Sequence, residues 1–355
     1  MPKQDLTVYL SLNNKRFDGW SEASIVRSLD SLAHSFTLSY NGLPRAIDAR
    51  VGSICHLTLG PHRLVTGHVN QIDVSVQAGY ASTSCSGRSK AGDLVDCAAI
   101  HKTGQWLKKN MFQIVTDLCA PFLITVTAEP EIKNDPFKFD RFELDEGERV
   151  YDAMERLLRA TGTIAVSQAD GSIRLMRVTR SSGLRATQLP AHLTTRRQYT
   201  HTEQDQYSVY KLRNQTMRAN AEESPRHAAL EKFEIKDETV TRYRPYVLNS
   251  NTHARVEELK TQATWERNVR HGKALSVTYT LPGGLAPDGK PWEPGIFVGV
   301  QDADLGINEI LLLVNVEFRV SNTELETSLV LSLPEAYSLL PLPTRDLNRG
   351  VSLRG

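Results

Sequence analysis

Cysteine is scarce in this chain. Its 355 residues include four, Cys55, Cys85, Cys97 and Cys119, and no two stand in the Cys-x-x-Cys spacing of a structural zinc site. In a reducing compartment such residues serve as small core side chains. An excess of one charge is also missing: 42 basic residues against 41 acidic ones leave a net charge of +1. Proteins that grip DNA through its phosphates carry a basic excess, so no sequence-specific nucleic acid binding is expected. No apolar run approaches the roughly 20 residues a spanning helix needs, so no membrane insertion is expected either. Met1-Pro2-Lys3-Gln4-Asp5 leads straight into a strand pattern without the apolar core of a signal peptide, which predicts synthesis and assembly in the cytoplasm.

Catalytic signatures are broken or missing. Gly284-Leu285-Ala286-Pro287-Asp288-Gly289-Lys290-Pro291 almost spells a phosphate-binding loop. Pro291 stands where the motif needs a magnesium-binding hydroxyl, and it removes an amide as well. Asp302, Asp304 and Gly306 lack the remaining ligands of a calcium loop and read as a hairpin turn. The acidic run Asp140, Glu143, Asp145, Glu146, Glu148 offers paired carboxylates of the kind that cleave glycosides. A helix N-terminus accounts for it better, since acidic side chains stabilise that end. The ten histidines are dispersed, and His62 and His68 are spaced for neither a helical nor a strand metal pair. No Gly-x-Ser-x-Gly elbow occurs, and the sequon Asn214-Gln215-Thr216 has no meaning without secretion. The expectation is a chain with no catalytic, cofactor-binding or metal residues, and not an enzyme.

What is present is patterned. Length predicts roughly two to four domains. Residues 1–88 read as a first β-barrel domain. Leu6, Val8, Leu10 and Leu12 alternate with polar residues, as do Phe36, Leu38, Tyr40, then Cys55, Leu57, Leu59, then Ile72, Val74, Val76. Residues 89–180 read as an α+β domain with two helices and a hairpin. Asn110 and Gln113 stand at capping-box spacing before Met111, Ile114, Val115 and Leu118, and Pro121 stops that helix before a strand from Phe122 to Thr127. The second helix starts after Asp145 with Glu148 in the capping position. It carries the stripe Val150, Ala153, Met154, Leu157, Leu158 and ends at Gly162. Ile164 to Val166 and Ile173 to Met176 flank the turn Asp170-Gly171.

Residues 181–250 form a β-rich connecting segment expected to contribute to the barrels, strand-like at Val209 to Thr216. Residues 251–340 read as a helix plus a second β-barrel domain. The helix runs from the N-cap Thr252 to Arg270 and is apolar on two sides: Val256, Leu259 and Ala263 against Trp265 and Val269. A two-sided helix needs two neighbours, its own core and another domain or subunit. Strands follow at Leu275 to Leu281, over the unusually long alternation Ile310 to Val320, and at Leu325 to Leu333. Residues 341–355, with Pro341, Pro343, Arg345, Arg349 and Arg354, form a tail without its own fold.

The last segment echoes the first. Gly52 and Gly295 each open a strand, Gly67 and Gly306 each sit in the following turn, and a long strand with its partner comes next. Of the four tryptophans, Trp20, Trp106, Trp265 and Trp292, interface anchoring suits Trp265 best, with Val269 beside it, and Trp20 after that.

The stretch Gly87-Arg88-Ser89-Lys90-Ala91-Gly92-Asp93-Leu94-Val95-Asp96-Cys97-Ala98-Ala99-Ile100 with Gly104-Gln105-Trp106 closely resembles the passage from first barrel to second domain in Mu-like phage baseplate hub proteins, the tail protein P family. Arg16-Phe17-Asp18-Gly19-Trp20, Val26-Arg27-Ser28-Leu29, Leu118-Cys119-Ala120-Pro121 and Thr241-Arg242-Tyr243-Arg244-Pro245 match further landmarks in order. The resemblance implies a β-rich α+β, multi-domain fold with two small barrel-like domains and a compact α+β domain. It implies a homotrimer whose paired barrels make a pseudo-sixfold ring. The ring joins the tail tube to the central spike, meets other baseplate proteins, and lets DNA pass. The place implied is the virion tail baseplate, with assembly in the host cytoplasm. The helix–Gly–hairpin pattern also resembles the late-control protein of contractile tails and the type VI secretion spike. A type VI-like hub is therefore one alternative and a tail-associated cell-wall hydrolase another.

Overall fold

A computed structural model describes residues 6–13, 15–43, 49–178, 185–214, 232–250, 256–321 and 324–338. Met1 to Asp5, Gln215 and Thr216 of the sequon, Thr252, the side chains of Val256 and Leu259, and the tail 341–355 lie outside the described residues.

The first unit is all strand: β1 (Val8–Leu12), β2 (Lys15–Phe17), β3 (Glu22–Ser28), β4 (Ser35–Asn41), β5 (Ile54–Leu59), β6 (His62–Gln77) and β7 (Tyr80–Ser89). Their lateral order is β3-β4-β7-β6-β5-β1-β2. The period-2 alternation decides which side faces in: Val8, Leu10, Leu12, Phe36, Leu38, Cys55, Leu57 and Leu59 are all buried.

The α+β unit follows: α1 (Gly92–Asp96), β8 (Gln105–Lys109), α2 (Met111–Cys119), β9 (Val126–Ala128), α3 (Pro130–Lys133), β10 (Phe139–Glu143), α4 (Val150–Thr161), β11 (Ile164–Ser167) and β12 (Ile173–Met176). The capping box of α2 is complete: Gln113 N donates to Asn110 Oδ1 at 2.9 Å and Asn110 N to Gln113 Oε1 at 3.2 Å. The stripe of α4 is buried throughout, and Gly162 ends it at φ +62°. Two expectations need correction. Asp145 to Glu148 form a turn before α4, whose N-cap is Arg149. Glu148 still accepts Asp145 N, at 3.1 Å, and its carboxylate takes two hydrogen bonds from Arg156, both 2.8 Å. The strand expected from Phe122 begins only at Val126, because Ala120 to Phe122 form a 3-10 turn closed by left-handed Leu123.

The last part comprises β13 (Ala186–Gln188), β14 (Arg196–His201), β15 (Val209–Asn214), β16 (Lys232–Lys236), β17 (Pro245–Ser250), α5 (Val256–Ala274), β18 (Leu275–Pro282), β19 (Phe297–Asp302), β20 (Ile307–Ser321) and β21 (Glu324–Ser332). Residues 181–250, expected to feed the barrels, divide. Strands β13 and β14 join the second barrel-like unit, whereas β15, β16 and β17 form a separate sheet against α5. Helix α5 runs past Arg270 to Ala274 and passes directly into β18.

The echo between the two β units is a correspondence of register. The order β3-β4-β7-β6-β5 repeats as β14-β18-β21-β20-β19. Pairing carries Gln71 with Ser86 in one unit and Asn315 with Val330 in the other. It carries Phe36 with Gly87 and Val277 with Leu331, then Ile25 with Phe36 and Tyr199 with Val277. Both long strands are irregular at the same place, between Val69 and Gln71 and between Leu313 and Asn315. Both clamp the loop before the preceding strand there: Gly52 N donates to Val69 O and Gly295 N to Leu313 O, each 2.8 Å. Gly67 does not sit in a turn as expected. It lies within β6, where a Cβ would meet the Arg88 carbonyl oxygen at 1.9 Å. The turn residue matching Gly306 (φ +67°) is Gly60 (φ +53°).

One hydrophobic core runs through both β units, and a second fills the α+β unit. Phe318 of β20 sits in the shared core. Phe318→Ala should cost about 3–5 kcal/mol and lower the melting temperature of both β units in a single transition, read by calorimetry. Two separated transitions would contradict the shared core.

Candidate assembly surface

Strand β20 has three partners. Along one edge it pairs with β21 from Leu312 to Ser321. Along the other, Ile307 to Leu312 pair with β19 and Asn315 to Ser321 pair with β3 of the first unit. The Leu313/Asn315 irregularity falls where the partner changes, which is where a bulge re-aims a strand. The two β units therefore meet through a backbone ladder, and among the described residues they form one thirteen-stranded sheet.

The corresponding edges of the other pair are bare. Strand β6 pairs with β5 only as far as His68, so from Gln71 to Gln77 its outer edge has no strand partner among the described residues. Strand β14, the counterpart of β3, ends the sheet, and all six of its side chains are exposed. Sequence reading registered Ile72, Val74 and Val76 as one more half-buried strand. Nothing in local alternation says that the cover for such a strand is missing.

The expected interface residues lie elsewhere and apart. Trp20 is spent in the first core: it packs edge-on to Tyr40 and donates its Nε1 hydrogen to Val8 O at 3.0 Å. Trp106 and Trp292 are buried as well. Trp265 and Val269 are half-buried on α5, with Trp265 Nε1 buried and without a hydrogen-bond partner among the described residues. The two-sided character of α5 is met inside this chain. One neighbour is the 3-10 turn Pro334–Tyr337, so close that a Cβ on Gly272 would meet Ala336 N at 2.5 Å. The other is the small sheet, where the Arg270 guanidinium lies 4.4 Å over the Tyr246 ring and donates to its hydroxyl at 3.0 Å.

The passage between units is tight. At Gly87 a Cβ would stand 2.1 Å from His68 O and 2.5 Å from the Phe36 ring. Beyond it Lys90 N donates to Thr66 O and Ser89 N to His34 O, and Arg88 pairs with Asp96 of α1.

Comparison with known proteins agrees with this division. The N-terminal model of the Mu phage baseplate assembly protein GpP-like family matches residues 7–89, and the baseplate hub protein gp44-like second-domain model matches 91–177. Baseplate hub protein gp44 of Escherichia phage Mu is 29% identical over 352 residues, covering 97% of this chain and 92% of its own. The 43 kDa tail protein of prophage MuSo2 from Shewanella oneidensis shares the fold, with a TM-score of 0.80 at 23% identity, over 94% of this chain and 100% of that one. The c3393 protein of E. coli, a type VI secretion component, has a TM-score of 0.55 at 10% identity, over 94% of this chain and 79% of that one. The chain is similar to the Mu-like baseplate hub proteins along nearly its whole length.

The near-motifs of the sequence lie in turns and loops held by their own hydrogen bonds. The loop from Gly284 to Pro291 is closed on itself by Ala286 N to Lys290 O at 2.8 Å and tied down by the ion pair of Arg185 with Asp288. Asp302 accepts from Asp304 N, Leu305 N, Arg197 and Tyr279, which is the turn expected. Among the described residues no three of His, Cys, Asp and Glu gather as a metal site, and no helix is long and apolar enough to cross a membrane. Cys55, Cys85 and Cys119 are buried, and burial pushes their thiols up to about 12, 11 and 12. Cys97, expected in a core, is instead exposed at the end of α1.

Two polar side chains are buried where β3 meets β20. Arg27 has Glu293 at 3.9 Å as its ion partner, and the buried His34 ring lies beside the Arg27 charge and the Ser28 backbone. Burial first, then the Arg27 charge, pushes the His34 imidazole down to about 3 from 6.5. The unfolded chain binds this proton below 6.5 and the folded chain does not. This contribution to stability is thus complete above pH 6.5 and lost as pH falls toward 3.

Two measurements follow. The fall in melting temperature between pH 6.5 and about 4 should be smaller in His34→Gln than in wild type; equal slopes would place the proton uptake elsewhere. An aromatic disulfide reagent should titrate a single thiol, Cys97, in the folded chain and all four after denaturation, and Cys97→Ser should abolish the folded-state signal. Rapid reaction of a second thiol would contradict the burial.

Proposed function

We propose that this chain is the structural hub of a contractile phage-tail baseplate, acting as a homotrimeric ring that joins the tail tube to the central spike and lets DNA pass. The observation that carries the reading is the repeated β unit. A three-copy ring meets a sixfold tube through equivalent contacts when each copy offers two similar surfaces, and here the two units share strand order and register. The net charge of +1 suits a channel wall that does not hold nucleic acid. Its mechanism is assembly and force transmission, with spike, tube and other baseplate proteins as partners and no chemistry of its own. It acts in the virion tail after assembly in the host cytoplasm.

A second reading, a hub of a type VI-like injection system, has the fold likeness to the E. coli type VI component in its favour. Sequence identity of 29% to the Mu hub against 10% to that component favours the phage reading. Against a cell-wall hydrolase, Glu148 of the acidic run is held by Arg156 beside the start of α4. The test is native mass by light scattering over a concentration series, followed by electron microscopy. A concentration-dependent trimer with a central hole is expected. A monomer at every concentration, with or without the spike protein, would overturn the ring.

A further inference from the structure

We infer that the distal half of β6 in one copy of this chain pairs antiparallel with β14 of the next copy, in the register that β20 and β3 already use within a copy. The inference rests on the ring reading for the number of copies and supplies the contact that joins them.

The template is internal. Within the chain, Val316 stands opposite Arg27, Phe318 opposite Ile25, Val320 opposite Ala23 and Ser321 opposite Glu22. The correspondence of the two β units turns Val316, Phe318 and Val320 into Ile72, Val74 and Val76. It turns Arg27, Ile25, Ala23 and Glu22 into His201, Tyr199, Arg197 and Arg196. The contact between copies then places Ile72 opposite His201, Val74 opposite Tyr199, Val76 opposite Arg197 and Gln77 opposite Arg196.

Burial supports the transposition. Phe318 and Ile25, cross-strand partners facing the shared core, are 1% and 0% exposed. Their counterparts Val74 and Tyr199 are 45% and 42% exposed, and Val76 is 66% exposed. The apolar alternation of a covered strand is kept in β6 while the cover is absent. Among the described residues both edges also leave a row of backbone donors and acceptors without a strand, a template for pairing with another chain. Val opposite Tyr is a favourable cross-strand pair. Each copy gives one edge and receives the other, so the contact is head-to-tail, the kind that closes into a ring. A second copy is the occupant because the chain itself contains the mate for each edge.

The test is cysteine cross-linking of the full chain in a Cys97→Ser background. Val74→Cys with Tyr199→Cys and Ser75→Cys with Gln198→Cys are the two paired variants. Antiparallel pairs alternate between about 5.5 and 4.5 Å in Cα separation, so one of them has the shorter spacing that suits a disulfide. All four positions are exposed, so folding is not at risk. Oxidised samples on non-reducing gels should form a ladder that ends at a covalent trimer. Chains carrying Val74→Cys alone, mixed with chains carrying Tyr199→Cys alone, should give a dimer that neither gives by itself. The slipped pair Val74→Cys with Arg197→Cys should cross-link at least about tenfold less, because its Cα atoms lie beyond disulfide reach. A wild-type trimer by light scattering whose paired variants do not cross-link would overturn the strand pairing and leave the ring standing. A chain that neither associates nor cross-links at any concentration would overturn both.

Discussion

The backbone ladder of β20 is the constraint on which the rest of the architecture depends. A single strand cannot rotate one half against the other without losing hydrogen bonds. Since Ile307 to Leu312 belong to the second β unit and Asn315 to Ser321 pair with the first, the orientation of the two units is fixed by main chain rather than by side-chain packing alone. The shared core follows, because Val316 and Phe318 lie where both units contribute residues. The buried Arg27 follows as well. It occupies a β3 position that pairs with Val316, and among the described residues its charge has Glu293 as its one ion partner. Isolated buried charges are costly, and this one is tolerated where two ladders hold the surrounding backbone in place.

Much of this was legible in the sequence, and what was not has a physical reason. Alternation from Ile310 to Val320 announces a long strand, since a period of two survives any choice of partner. It does not announce that the strand changes partner midway, because pairing is a property of register and topology. Gly67 illustrates the same limit. Its smallness is needed, but for the approach of Arg88 O across the ladder rather than for a turn, and only a neighbour distant in sequence reveals that. Trp20 shows the same limit: residue type suggests a contact residue, and only the fold reveals that its indole N–H donates to Val8 O within the same unit. The open edges of β6 and β14 are hidden in the sequence for the opposite reason. Ile72, Val74 and Val76 look like any half-buried strand, and exposure is visible only when the covering strand is sought and not found.

Repetition within one chain also explains why the two halves can differ in chemistry while keeping one geometry. The seam between β20 and β3 lies within one chain, where it holds Phe318 opposite Ile25 and buries Arg27. The seam proposed between copies must be exposed to water before assembly. Its residues are correspondingly smaller or more polar: Val74 for Phe318, Tyr199 for Ile25, His201 for Arg27, with Arg196 and Arg197 at the far end. Charges on an edge strand restrain indiscriminate strand addition, and a defined register selects a copy of the same chain over other exposed strands. An assembly built on the proposed pairing would carry its specificity in the ladder between its repeats, and the Gly87–Ile100 passage bears on it through backbone: a side chain at Gly87 would collide with His68 O, so only glycine lets β6 and β7 approach there.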